Sequence, residues 1–384
     1  MTFHLTQADP DFLYKLALLL AVPAPPGAPG HVIARAPFLP GTGPYMISGY
    51  RPGASFTLVR NPHFRQWSYA AQPAGYPDVI RFDYVADPRR QLSAVTAGRA
   101  DLVDLLTNGQ PSRDLGLRYP ARLHSSLRTD VNYVFLNTRQ PPFNNVLVRQ
   151  AINYAIDRAR IVSLFGLAPG QAAVTCQVLP ADFPGHQPYC PYTAGVSNGT
   201  WHGPDLAKAR RLVQASHTTN VPVTVWGWSG DAGTGAYLAG LLTGLGYRAA
   251  LHTASLSDFF NAASSPDGKV QIGLFSFGPD FPSPSTFFVS ALSCLSAGQS
   301  PAGANFAHYC SPGVDKLSSQ AQAAELTDPA AARALWARVD RAVTDEAPWA
   351  PVFDSSWTVF VSARVGNCQV HASYGPLLDQ MWVR

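Results

Sequence analysis

LNTRQPPFNNVLVRQAINYAIDR, Leu136 to Arg158, decides how the rest of the chain is read. Val148, Ala151, Ile152, Ala155, Ile156 and Ala159 recur at the i, i+3, i+4, i+7 spacing of a helix with one buried face. Asn144 or Asn145 is placed to cap it, and Asp157 to cap a second, abutting helix that runs through Phe165. Downstream, from Pro204, helical and strand patterns alternate: a helix over 205–215, a strand over 221–228, a helix over 236–245 and a strand over 247–253. That alternation predicts an α/β domain. Two helices follow at 313–325 and 329–346, the second capped by Asp328 with Pro329 in its first turn, and strands at 350–353 and 358–361 close the pattern.

Upstream, residues 37–60 read as a hairpin in which Pro52-Gly53 supplies the centre of a type II turn. A strand over 78–85, a helix over 89–98 and a short strand or turn over 100–106 come next. The apolar segment KLALLLAVPAPPG, from Lys15 to Gly27, reads as a buried helix ended by Pro23. It does not read as an export leader, because Asp9 and Asp11 precede it and its apolar run is short. Residues 168–203 are Pro-rich and irregular.

With 384 residues the chain has room for two or three domains, and 46% hydrophobic content fits a globular protein. Only 14% of residues are charged, the net charge is +4, and no basic run exceeds two arginines, so the electrostatic footprint of a nucleic-acid binder is missing. The apolar runs are far below the ~20 residues that a membrane-spanning helix needs. The cysteines fall as Cys176 and Cys190, Cys294 and Cys310, and Cys368. Their spacing matches no zinc motif. Two local disulfides fit better, each closing a loop of about 15 residues worth roughly 3 kcal/mol and pointing to an oxidising compartment; buried free thiols in a cytosolic protein are the alternative.

Motifs for chemistry fail on residue identity. GWSGDAGTG, Gly227 to Gly235, has Asp231 where a nucleophile elbow needs glycine, and lacks the Gly-Lys-Ser/Thr of a phosphate loop. It reads as a flexible strand-to-helix loop. The ten histidines are scattered, none at ligand spacing to another, so no metal, cofactor or catalytic residue is assigned. Trp226 and Trp228 are read either as core or as the wall of an apolar pocket. One carboxylate stands out: Asp280, in FSFGPDFPSPSTFF from Phe275 to Phe288, lies among aromatics and prolines with no basic neighbour in the chain.

That segment, together with LNTRQPPFNNVLVRQAINYAIDR and GTGPYMISGYRPGASFTLVRNPHF (41–64), closely resembles the bacterial extracellular solute-binding proteins of family 5, the dipeptide and oligopeptide receptors of ATP-binding cassette (ABC) importers. The resemblance runs in order through to the closing GPLLDQMWVR. It implies an α/β, bilobal periplasmic-binding-protein-like fold of class II, peptide-binding type, with an incomplete first lobe. Residues 1–133 would form part of that lobe, 134–360 the second lobe and 361–384 the return to the first. Met1 opens on TFHLTQADPDFLYKL, which resembles the middle of the family's first lobe, so leader, lipid-bearing cysteine and the start of that lobe are not seen here. The resemblance further implies no enzymatic activity, an extracytoplasmic location (periplasm or cell surface), a monomer working with permease subunits, a ligand between two lobes and a disulfide between Cys294 and Cys310.

In peptide-binding members an aspartate in the segment resembling FSFGPDFPSPSTFF pairs with the ligand's α-ammonium, and Asp280 stands at the matching position. Phe277 and Phe281 would wall it and Trp226 and Trp228 would line the pocket; the alternative is that Asp280 caps a turn before Pro282. Nickel complexes, sugars and other small solutes are ligands of some members. A secreted hydrolase and a non-functional truncated remnant stand as competing functions.

Overall fold

The computed structural model describes residues 2–18, 21–23, 25–27, 38–70, 72–105, 112–167, 170–231, 233–298 and 304–384. In chain order, helix α1 (Phe12–Ala17) precedes the hairpin of β1 (Tyr45–Arg51) and β2 (Ser55–Arg60), then β3 (Val79–Asp83), α2 (Pro88–Thr96), β4 (Leu102–Asp104), α3 (Ser112–Arg118) and β5 (Leu123–Leu127). Next come β6 (Val131–Leu136), α4 (Val146–Ala155), α5 (Arg158–Leu164), β7 (Ala172–Val174), α6 (Leu206–Ser216), β8 (Pro222–Trp228), α7 (Thr234–Gly244) and β9 (Arg248–Ala254). The chain continues through α8 (Leu256–Ala263), β10 (Ile272–Phe277), α9 (Ser285–Phe288), α10 (Pro312–Glu325), α11 (Pro329–Glu346) and the long strand β11 (Trp349–Val361).

Local signals in the sequence account for most of these boundaries. The side chains of Asn145, Asp157, Asp205 and Asp328 each accept a hydrogen bond from a first-turn amide of α4, α5, α6 and α11, satisfying donors that a helix start otherwise leaves open. Gly53 takes φ +68°, as the third position of a type II turn requires, between β1 and β2.

The chain divides into two compact units. The first comprises Met1–Leu18, Thr129–Leu167 and Ala172–Ser355. Its sheet runs β11-β6-β10-β8-β9, with β6 antiparallel to both β11 and β10, and β10, β8 and β9 parallel. Alternate side chains of β6 and β10 divide between two cores, one on each face of the sheet. Val134, Leu136, Ile272 and Leu274 enter an aliphatic core built with α4 to α7. Tyr133, Phe135, Phe275 and Phe277 enter an aromatic one built with α8 to α11. Two disulfides, Cys176–Cys190 and Cys294–Cys310, staple its irregular segments, while Cys368 is a half-buried free thiol.

The second unit comprises Leu19–Arg128, Ala168–Gln171 and Ser356–Arg384. It holds the antiparallel sheet β1-β2-β3 and pairs β4 and β5 with the last residues of β11. Its small core gathers Val95, Val103, Leu105, Leu115 and Phe360. Arg122 lies over the Phe360 ring at 4.5 Å and donates to the carbonyls of Val361 and Val95.

Three expectations change. The expected buried helix from Lys15 to Pro23 is not seen among the described residues: α1 stops at Ala17 and buries none of its residues, and Leu19 and Leu20 of that helix lie outside the described residues. The two closing strands are one, because the polar run Asp354–Ser356 continues the ladder by pairing with β7 and β5. The central strands β6 and β10 and helix α8 add to the predicted elements; β6 is buried on both faces, so its apolar run carries no alternation to read.

Candidate functional site

Strand β10 leads into the site. Its register with β6 ends at Phe277↔Val131, and Pro279, Pro282 and Pro284 then prevent the chain from extending the ladder. The turn that results is held at both ends. Phe277 packs edge-on to Phe287 at 5.2 Å and lies 6.1 Å from the Trp349 ring, while Phe281 stacks on Tyr14 of α1 at 5.8 Å with the planes 6° apart. Ser283 donates to Ser285 at 3.0 Å, and Ser285 donates in turn to the buried carboxylate of Asp11.

Between these anchors Asp280 is exposed and makes no hydrogen bond or ion pair with any described residue. The turn-capping alternative therefore does not hold. The packed residues on either side present a solvated carboxylate that is free to take a partner.

Trp226 and Trp228 are half-buried on β8, on the same face as Phe275 and Phe277, and pack against the aromatic core. The Trp226 ring lies 4.2 Å from that of His252, and the indole nitrogen of Trp228 is buried without a partner among the described residues. Because β8 and β10 run parallel with Gly273 beside Trp226, Trp228 and Phe277 finish their strands at the same edge of the sheet, and Asp280 lies three residues beyond Phe277. In the loop after Trp228, the Asp231 carboxylate accepts from the amides of Gly233 and Gly235.

Behind the Asp280 turn lies a cavity of about 450 Å³, bounded by Asp11, Tyr14, Pro282, Pro284, Glu325 and Trp336. Burial raises the Glu325 carboxyl above its ordinary value, the Trp336 indole donor at 2.6 Å works against that, and the nearby Asp11 charge adds to it. Asp11, Tyr14 and Asp354 were not singled out in the sequence. The first two lie just before the apolar run that starts at Lys15, where Asp11 counts only against an export leader, and Asp354 falls in the polar run taken for a break between strands.

The model of the bacterial extracellular solute-binding proteins, family 5, middle region, matches residues 1–299. The chain belongs to that family. Among curated proteins it is 23% identical over 347 residues to a probable di/tripeptide-binding protein 5 of Pseudomonas aeruginosa, covering 86% of this chain and 59% of that one. Among solved structures, clavulanic acid biosynthesis oligopeptide binding protein 2 superposes with a TM-score of 0.85 over 99% of this chain and 70% of that one, at 22% identity. A dipeptide binding protein from Pseudoalteromonas sp. SM9913 in complex with Met-Leu gives 0.74 at 19% identity, covering 99% and 73%. The fold is thus that of the class II periplasmic peptide-binding proteins. This solute-binding family 5 chain spans between 50% and 59% of the length of the curated relatives it matches.

Proposed function

We propose that the chain is the solute-binding part of an ABC importer, that it acts outside the cytoplasm, and that it takes peptides whose α-ammonium rests on Asp280. The observation that carries this reading is the Asp280 turn: a partnerless, exposed carboxylate set between two phenylalanines that are themselves packed. A ligand covering the turn removes water from that carboxylate, and an unpaired charge without water is costly, so a solute bearing a cation is selected over one without. Names of relatives and structural neighbours support peptides as the solute class. Two disulfides support an oxidising compartment. Permease subunits are the partners that the family reading entails, and binding, without chemistry on the ligand, is the activity.

Isothermal titration with Ala-Ala-Ala and its N-acetylated form tests the reading. Breaking a buried pair costs about 3–5 kcal/mol, so acetylating the peptide, or changing Asp280→Ala, is expected to weaken binding by up to about two to three and a half decades. Equal affinities for the free and acetylated peptides would sink the ammonium anchor.

A further inference from the structure

β11 carries a second carboxylate with no partner. Phe353 lies in the aliphatic core, so Asp354, the next side chain along the strand, points to the opposite face, where Val131, Phe277 and Trp349 sit. It is 3% exposed, no described residue donates to it, and its Oδ1 is sealed from solvent. Asp130, also buried, lies on the other face and is served by hydroxyls: Ser355 donates at 2.8 Å and 3.0 Å to its two oxygens and Ser276 at 3.3 Å. The two carboxylates are therefore treated oppositely by the fold. Burial, and then the charge of Asp130, hold the Asp354 carboxyl well above the ordinary carboxylate range, as fits an acid that has no cation to balance it. Its cross-strand neighbour on β7, Ala173, is exposed, so this stretch of strand borders solvent.

A buried acid without a partner is costly, and a protein rarely keeps one where a leucine or an alanine would pack. What would repay that cost is a cation supplied from outside the chain. The sheet order β10-β6-β11 and its registers put Asp354 two strands from Phe277, about 10 Å at the usual strand spacing, and Asp280 lies three residues beyond Phe277. An extended peptide advances about 3.4 Å per residue, so one whose ammonium is at Asp280 and which runs toward β11 carries the long basic side chain of its second or third residue in the direction of Asp354.

We propose that Asp354 receives a second cationic group of the bound solute, the side-chain ammonium or guanidinium of a lysine or arginine near the peptide's N-terminus. The inference rests on the reading of Asp280 as the α-ammonium anchor. It makes Asp354 a specificity-determining residue that sorts basic from neutral peptides.

The test is isothermal titration of the wild-type chain, Asp354→Asn and Asp280→Ala with Ala-Lys-Ala and Ala-Ala-Lys, each against its norleucine counterpart, which keeps the side-chain length and drops the charge. The expected result is that the wild type binds at least one lysyl peptide tenfold or more tightly than its norleucine form, and that Asp354→Asn erases the preference while binding the norleucine peptides as the wild type does. A wild type without preference, a variant that keeps it, or a variant that loses both peptides equally would each overturn the proposal. In those cases norleucine binding that disappears in Asp280→Ala leaves the ammonium anchor standing. No binding of any peptide by the wild type overturns both.

Discussion

Arg158 and Asp354 are both buried ionisable groups, 0% and 3% exposed, in the same unit and on or against the same strand, yet the fold surrounds them in opposite ways. Arg158 donates from Nε to the carbonyls of Thr175 at 3.1 Å and Pro351 of β11 at 2.8 Å, and its other nitrogens reach the carbonyls of Asn153 and Tyr192 and the side chain of Asn153. Burial lowers its pKa to about 10, and it stays a cation at neutral pH because carbonyl dipoles replace the water it lost. Asp354 is given nothing of the kind. Among its described neighbours no donor turns toward it, although serines three strands wide turn toward Asp130. Complete hydrogen bonding fits a structural role for Arg158, and the lack of it at Asp354 is what the proposed ligand cation would offset.

The comparison is broken most severely at Arg158. Arg158→Ala removes the donor that joins α5 to β11 and to the Cys176 segment and leaves several buried carbonyls unpaired, so a loss of about 3–5 kcal/mol is expected in urea-induced unfolding under oxidising conditions. A loss below about 1 kcal/mol would mean that complete hydrogen bonding does not mark a structural charge here.

Asp340 sharpens the same point from the acidic side. Its carboxylate, on α11, accepts from the side chain of Gln177 and from the amides of Val178 at 3.0 Å and Leu179 at 3.3 Å, tying the disulfide-bearing segment to the helix. Burial pushes its pKa up to about 7 while those three donors pull the other way. Asp340→Ala strands three buried donors, and a destabilisation of about 2–3 kcal/mol is expected in the same measurement.

Much of this unit is legible in the sequence because its signals are local. The caps Asn145, Asp157, Asp205 and Asp328 need only a short acceptor at a helix start, and the face of α4 needs only its spacing. The two disulfides follow from cysteines close in the chain. Asp280 is visible as a lone acid in an aromatic stretch, and its place after β10 follows the strand's register. By contrast, the role of Arg158 depends on carbonyls contributed by residues 175, 192 and 351, far apart in the chain. Asp354 is harder still: in the run Asp354-Ser355-Ser356 nothing local says that the first side chain faces an aromatic core without a donor while the second serves Asp130. Tyr14 stacking on Phe281 joins residues that nothing in the linear sequence connects.

The smallest effect expected, and the one that separates the two kinds of buried charge most cleanly, is that of Asp354→Asn on stability. An acid whose folded form holds its proton more tightly than the unfolded chain binds more protons when folded, so it weakens the fold as pH rises from the ordinary carboxylate range toward its native value. Burial and the Asp130 charge both raise Asp354 in that direction. Asparagine has no proton to lose at this position. At about pH 3 to 4, where the native acid is neutral, the variant and the wild type are therefore expected to unfold alike. Above that range their curves diverge, with the variant more stable by about 1 kcal/mol, the lower end of the penalty for a buried polar group without a partner. Asp340 contributes a fall of the same sign up to about pH 7 in both proteins, so it cancels in the difference. A variant less stable than the wild type at every pH would place a partner for Asp354 inside the fold, make it a second Arg158, and remove the reason for a cation to come from the ligand.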